Sequence, residues 1–328
     1  MKSKSGKRYL ITGGAGFIGA HLANRLLDTT ASEVVVYDNF KTGRRWHFGD
    51  RLKESRLQVV EADVSDQERL KAAMSGCDVV YHLAANSDIA RAENDPGLDF
   101  WNSLCLTFHV LEAMRLVGVK RILFASGSGV YGDVPPDPLP EEYPRSIPVS
   151  TYGAAKLSGE AFISAYGHMF SFKGSVLRFA NVVGPHQTHG VAYDFIRRLM
   201  KDPESLQIYG DGRQSKPYIH IGDVLDAFRL VEEKQSSGYE VFNVGTQDHL
   251  TVTRIAEIVT EKMRLKNVTF KYTGGARGWK ADVPVYRLNT GKIRGWGWNN
   301  TMNSQEAVEA AVAAMLEDAR AGRISPAD

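Results

Sequence analysis

The stretch Tyr9-Leu10-Ile11-Thr12-Gly13-Gly14-Ala15-Gly16-Phe17-Ile18-Gly19 runs from a short apolar segment through a glycine-rich turn into an amphipathic segment that ends at Leu27. Glycines at 13, 16 and 19 permit a tight turn and a close approach of the backbone to a ligand. A helix opening at Phe17 offers unpaired N–H groups and its positive dipole end to an anion such as a pyrophosphate. The next apolar, β-branched run, Val34-Val35-Val36-Tyr37, stops at Asp38. That lies about 20 residues beyond the loop, the distance at which a carboxylate meets a ribose. Strand, turn, helix and acid in this order predict a dinucleotide site. An acid that accepts from both ribose hydroxyls and repels a 2′-phosphate favours NAD over NADP, with Lys41, Arg44 and Arg45 close by as a weak opposing influence.

Working outward, Leu57–Ala62, Val79–Leu83, Arg121–Ala125 and Ser175–Phe179 repeat the apolar strand pattern, and Asp66–Met74, Leu104–Val117 and Tyr152–Tyr166 read as helices between them. Short buried strands alternating with helices predict an α/β fold, a doubly wound parallel sheet of Rossmann type covered on both faces. Beyond about Asn181 strands become sparser and Gly and Pro more frequent. A last helix is expected over Ser304–Ala321, with Ala307, Val308, Ala311, Val312, Met315 and Leu316 on one face and Gly322 at its stop. The proline-rich stretch Asp133–Pro148 reads either as a long connection or as a lid.

The 328 residues carry 40 Lys+Arg against 38 Asp+Glu, a net charge of +2, which gives no support for a nucleic-acid or anionic-membrane partner. Two cysteines, Cys77 and Cys105, exclude a disulfide framework and a cysteine-rich zinc site. No apolar run approaches the roughly 18 residues that span a bilayer. The basic start Met1–Arg8 leads into an apolar run broken at once by glycines, unlike a signal peptide, so a cytoplasmic address is expected. His82 lies inside an apolar strand and reads as a core histidine. His186 and His189 flank Gln187-Thr188 without further ligands, so no metal site is expected. Trp296 and Trp298 read as packing residues. Asp88 and Arg91 read either as cleft-lining or as a solvated pair.

Tyr152 and Lys156 stand four residues apart on an expected helix and so share a face. A cationic neighbour favours the phenolate, which makes Tyr152 a candidate general base or acid near neutral pH.

With these residues in place the chain resembles the extended short-chain dehydrogenase/reductase family and, within it, the NAD-dependent nucleotide-sugar 4-epimerases of the UDP-glucose 4-epimerase kind. Thr12–Gly19 matches the cofactor loop, including Gly13, Gly16, Phe17, Ile18 and Gly19. Tyr37-Asp38-Asn39-Phe40-Lys41-Thr42-Gly43 resembles the segment holding the adenosine ribose. Asp63-Val64 stands at the adenine-contact position, and His82-Leu83-Ala84-Ala85 at the fourth strand. Asn102 falls at the helix asparagine, and Tyr152-Gly-Ala-Ala-Lys156 at the catalytic pair.

The resemblance implies further that Asn181, Lys216 (where the family usually has Arg) and Tyr218 line the sugar-nucleotide lobe, Asn181 and Lys216 facing the diphosphate. It implies that Arg277 and Asp282 belong to a nucleotide-closing segment. One departure stands out. The family carries Ser or Thr three residues before the Val of Val130-Tyr131-Gly132, and here that place is Gly127, so the role passes to Ser128 (preferred) or Ser126, or Tyr152 works alone. Related 4,6-dehydratases have an Asp-Glu pair just before Val-Tyr-Gly and related decarboxylases a Glu; Ser128-Gly129 supplies neither, which argues against both reactions.

The resemblance also implies an NAD-binding domain over 1–180 with a return at 222–245, and a smaller C-terminal lobe over 181–328 that binds the nucleotide sugar, the substrate lying between them. A homodimer built on Leu104–Val117 and Tyr152–Tyr166 is expected from the same source. The implied reaction is inversion at C4 of a UDP-hexose through a transient 4-keto sugar. A nucleotide-4-keto-sugar reductase and a catalytically impaired NAD- or nucleotide-sugar-binding sensor are the alternatives.

Overall fold

The structure is a computed structural model that describes residues 6–28, 33–87, 91–236 and 238–327. Asp88 lies outside the described residues, as do the first five. Its strands are β1 (Arg8–Thr12), β2 (Glu33–Asp38), β3 (Leu57–Glu61), β4 (Val79–His82), β5 (Arg121–Gly127), β6 (Pro138–Leu139), β7 (Lys173–Phe179), β8 (Asn181–Val183), β9 (Ser205–Ile208), β10 (Ser215–Lys216), β11 (Tyr218–His220), β12 (Tyr239–Val244), β13 (Leu250–Thr251), β14 (Thr269–Tyr272) and β15 (Arg287–Leu288). The helices are α1 (Phe17–Leu27), α2 (Gln67–Met74), α3 (Gly97–Asp99), α4 (Cys105–Val117), α5 (Thr151–Phe170), α6 (Val191–Lys201), α7 (Ile221–Lys234), α8 (Val252–Met263), α9 (Gly291–Gly295) and α10 (Ser304–Arg320).

Two compact units form: Met1–Val130 with Thr151–Arg178 and Phe228–Phe242, and Tyr131–Ser150 with Phe179–Ala227 and Asn243–Asp328. The first is built on a seven-stranded parallel sheet in the order β12-β7-β5-β4-β1-β2-β3. β1 pairs with both β2 and β4, so the strand order reverses at β1, and in such sheets ligands bind outside the carboxyl ends of the strands at that reversal. Alternation along the strands covers both faces. Leu10 and Val80 pack with α2 and α4 residues such as Leu70, Met74, Leu111 and Met114, while the Tyr81 ring meets Phe228 of α7 edge-on at 5.3 Å. Local chemistry sets the helix ends. Asp66 caps α2 by accepting from the Arg69 N–H, and α4 stops at Gly118 with φ +83°. Between α3 and α4 the helix widens into a π turn over Phe100–Leu104, so the single helix expected from Leu104 is the end of a longer, irregular one.

The second unit packs α6, α8 and α10 around Phe195, Ile196, Leu199, Ile255, Val259, Val308 and Val312. α10 opens on a capping box, Asn303 with Glu306, and ends just before Gly322, whose φ is +72°, as its sequence predicts. Tyr131–Ser150, inside the span 1–180, belongs to this unit. β6 pairs in parallel with β15, the Tyr131 hydroxyl donates to Asn243 Oδ1 at 2.8 Å, and Glu141 accepts from the Asn243 N–H. The segment Asp133–Pro148 is therefore a pinned connection. Among the described residues, no helix is long and apolar enough to cross a membrane.

Candidate active site

The glycine loop sits where β1 turns into α1. Gly13 has φ +66°, and a Cβ there would lie 2.7 Å from the Ala84 nitrogen, so only glycine lets the loop approach the end of β4. At Gly19 a Cβ would lie 2.7 Å from Gly14 Cα, so glycine lets α1 pack onto the loop. Gly16 is the N-cap of α1 and caps with no side chain, which leaves the first-turn N–H groups of Phe17 and Ile18 without intrahelical acceptors. Those donors and the helix dipole suit a pyrophosphate.

Asp38 ends β2. Its carboxylate accepts from the N–H groups of Ala15 (2.9 Å) and Phe40 (2.8 Å), and burial pushes its pKa up against those hydrogen bonds. The three nearby cations are engaged elsewhere. Lys41 stands 3.9 Å from Asp63, Arg45 pairs with Glu61 and lies over Phe40, and Arg44 donates to the Gly43 carbonyl. Asn39 donates to Asp63 at 2.8 Å, and Ser65 donates to the same carboxylate, so that Asp63, despite partial burial, is held below the usual range. Val64 is in the core. Leu83 donates from its N–H to Thr12, and half-buried Ala84 and Ala85 follow it. The residues expected at the cofactor's phosphates, ribose and adenine thus gather along the carboxyl ends of β1, β2 and β4, in an arrangement that fits NAD. His82 is a core residue as its strand suggested. It lies between Thr12 (2.7 Å) and Thr107 (3.0 Å), and burial pushes its pKa down to about 3.

Asn102 lies in the π turn and donates to the Leu98 carbonyl. It is its neighbour Ser103 that reaches the loop after β4, accepting from the Asn86 N–H at 3.1 Å.

Tyr152 and Lys156 lie on the first turns of α5. Lys156 is buried and donates to the Ala125 carbonyl at 2.7 Å, with its ammonium 4.8 Å from the Phe124 ring centre and 5.8 Å from that of Tyr152. Burial pushes Lys156 down to about 8 and, with the charge of Asp99, pushes Tyr152 up to about 12. The expected acidifying effect of Lys156 on Tyr152 is therefore outweighed in this state, because desolvation dominates and the charge of Asp99 acts in the same direction. Ser126 also departs from its expected role: its hydroxyl donates to Glu160, which forms a buried ion pair with Arg178. Ser128, which opens the 3₁₀ turn just after β5, makes no hydrogen bond to a described side chain and keeps a free hydroxyl. A Cβ at Gly129 would touch the Tyr152 ring at 3.7 Å.

In the second unit Lys216 meets Asp282 at 2.5 Å, and Arg277 donates to the Asp282 carbonyl at 2.5 Å and to the Asp133 carboxylate at 2.7 Å. Asn181 on β8 lies in register with Tyr218 on β11 and donates to the Pro217 carbonyl at 3.5 Å. Tyr218 itself is 5% exposed and packs in the unit's core, its phenol pushed up by burial. Lys216, Arg277 and Asp282 therefore form one cluster, whereas the Tyr218 side chain serves packing. His186 is held by Asp318 at 2.9 Å, and the Trp298 indole donates to the Asp223 carbonyl.

A profile of the NAD-dependent epimerase/dehydratase family matches residues 9–245. The chain belongs to that family. It is 34% identical over 245 residues to a UDP-glucose 4-epimerase of Mycolicibacterium smegmatis, covering 73% of this chain and 77% of the relative. Among solved structures, a UDP-galactose 4-epimerase superposes with TM-score 0.84 at 36% identity, covering 95% of this chain and 99% of the other. A dTDP-glucose 4,6-dehydratase of Streptomyces venezuelae superposes with TM-score 0.86 at 26% identity, covering 95% and 97%. Epimerase and dehydratase backbones match this family member almost equally, so the reaction has to be argued from side chains.

The site residues that sequence reading missed are Asp99, Glu160 and Ser103. Glu160 had a signal, since Tyr152, Lys156 and Glu160 repeat at intervals of four along α5. Asp99, a lone acid between Leu98 and Phe100, had none.

Proposed function

We propose that the protein is an NAD-dependent 4-epimerase of a UDP-linked hexose that passes through a transient 4-keto sugar. The observation that carries this reading is the surroundings of Tyr152. Where the resembling dehydratases and decarboxylases place an acid, Ser128 and Gly129 stand, with Gly129 against the ring, so neither of those two positions supplies a carboxylate to move protons at C5 or C6. When bound, NAD supplies reversible hydride acceptance. Tyr152, in its phenolate form, would take the O4 proton and later return it. Lys156 would hold the cofactor's ribose, and Ser128 would donate to O4 in place of the hydroxyl missing at Gly127. Lys216, Arg277 and Asn181 hold the diphosphate while the sugar presents its other face. The Arg277–Asp133 pair is about half exposed and exchanges its carboxylate for phosphate at little cost.

The test is to incubate the purified protein with UDP-galactose and catalytic NAD⁺, separate the sugar nucleotides and follow the reduced-nicotinamide band. UDP-glucose forming without accumulation of reduced cofactor supports the reading. Stoichiometric consumption of reduced cofactor with a 4-keto sugar indicates a reductase, and NAD binding without turnover of any UDP-hexose indicates the sensor that Gly127 favours. The exposed residues Phe108 and Leu116 on α4 and Phe162 and Met169 on α5, with the Phe108 and Phe162 rings 6.3 Å apart, support the homodimer, which light scattering after gel filtration would measure.

A further inference from the structure

His47 is 7% exposed and sits in the 3₁₀ turn that begins at Arg45, in the segment that follows β2. Its ring Nδ1 lies 2.9 Å from the carbonyl oxygen of Ala15, 32 residues back in the middle of the glycine loop. A carbonyl only accepts, so Nδ1 carries the hydrogen. The Arg44 N–H donates to the same oxygen at 2.9 Å, which fills both of its lone pairs. From the other side of the residue, the Ala15 N–H donates to Asp38 at 2.9 Å. Ala15 is wholly buried, and both of its backbone groups are held from outside the loop, by Asp38 and the segment that follows it. Gly43 lets that segment come close, since a Cβ there would stand 2.8 Å from both Ala15 Cβ and Asp38 Oδ1. Asn24 of α1 donates to the His47 carbonyl at 3.2 Å, so His47 is also tied to the helix that the loop opens.

We propose that His47 is a positioning residue of the cofactor loop: its Nδ1–H fixes the Ala15–Gly16 peptide and, through it, the N–H groups at the start of α1, a role that rests on the reading of that loop as the phosphate site of NAD. The Ala15 carbonyl and the Gly16 N–H are two sides of one rigid peptide plane. The bond to His47 therefore sets how that plane is turned where α1 begins. Gly16 is the N-cap and has no side chain with which to do this, and glycine has the widest backbone freedom of any residue, so the orientation has to come from a neighbour. One donor, the Arg44 N–H, would leave the plane able to turn about that bond; a second donor on the same oxygen stops it. When the His47 donor is removed, Arg44 still satisfies the carbonyl, so the loss falls on ligand binding rather than on the fold.

The test compares ligands with and without phosphate. The full-length protein is titrated by calorimetry with NAD and with ADP, and by ligand NMR at millimolar concentration with adenosine. His47→Phe keeps a ring in the site and removes the donor. It is expected to weaken NAD and ADP about tenfold, with adenosine affinity and the thermal midpoint little changed. His47→Asn, whose Nδ2–H replaces the Nδ1–H at the same distance along the side chain, restores both affinities. His47→Leu is a second donor-free variant with the same expected direction should His47→Phe fail to fold. Full affinity for NAD and ADP in the folded donor-free variant overturns the proposal. So does an equal loss for adenosine, which marks a generally disturbed site, and so does a His47→Asn protein as weak as the donor-free one. An unsubstituted protein that binds ADP no better than adenosine refutes the phosphate-site reading itself, and the proposal with it. No sugar nucleotide enters these titrations, so they give their answer whether or not a UDP-hexose is turned over.

Discussion

Glu160→Gln is expected to destabilise the first unit severely while preserving side-chain volume. Arg178 on β7 and Glu160 on α5 are 7% and 3% exposed and meet through Nη2–Oε2 at 2.6 Å and Nε–Oε1 at 3.0 Å, with Ser126 of β5 donating to the same carboxylate. Glutamine leaves the buried guanidinium opposite a neutral amide. Breaking a buried pair from one side costs about 3–5 kcal/mol, a large part of the roughly 5–15 kcal/mol that holds a domain together. Because the amide oxygen still accepts one hydrogen bond, the low end, about 3 kcal/mol, is the expectation. With a urea slope of about 2 kcal/mol/M, that lowers the unfolding midpoint by about 1.5 M. Far-ultraviolet circular dichroism against urea reads it directly. The double variant Glu160→Leu/Arg178→Met removes both charges together and should recover most of the loss, since apolar residues of similar volume replace a buried pair at little cost. A single-variant loss below about 1 kcal/mol, or a double variant no more stable than the single one, would refute the reasoning.

Three further outcomes are expected. The folded-state pKa of His82 lies near 3, below the value of the unfolded chain, so its contribution is complete above about pH 6.5 and is lost as pH falls towards 3. Urea titrations across that window should show up to about 1.4 kcal/mol per pH unit of acid sensitivity that His82→Asn lacks. Asp38→Ala should lower the preference for NAD over NADP at least about tenfold by calorimetry, because the carboxylate that repels a 2′-phosphate is gone; an unchanged ratio places the ribose elsewhere. If Ser128 donates to O4, Ser128→Ala should cut kcat by about 10²-fold with KM little changed, and Gly127→Ser should rescue it. A Ser128→Ala enzyme with full kcat would return that role to Tyr152 alone.

The sheet and most helices were legible because their signals are local. The β1–turn–α1 stretch, the β-branched run ending at Asp38, and the apolar face of α10 each declare themselves within about 20 residues. What was not legible depends on partners distant in sequence. Ser126 looked like a substitute donor until Glu160, 34 residues on, was seen to hold it. The pKa of Tyr152 follows burial and Asp99, neither of which the Tyr-x-x-x-Lys spacing encodes. Tyr218 carries a motif position yet faces the second core. The π turn at Phe100–Leu104 interrupts the 3.6-residue period, which is why the helix reading began only at Leu104.

The sheet order has a consequence for synthesis. β7 is the penultimate strand of the sheet, and its outer neighbour β12 ends 65 residues later, at Val244. At about 5–20 residues per second, the ribosome takes roughly 3–13 s to supply that neighbour. During this interval Val176 and Leu177, wholly buried in the finished protein, belong to an open apolar edge able to pair with another nascent chain. Any slowing of translation between codons 180 and 244 therefore lengthens the exposure of β7, and a chaperone acting on this chain would find that apolar edge open throughout the interval.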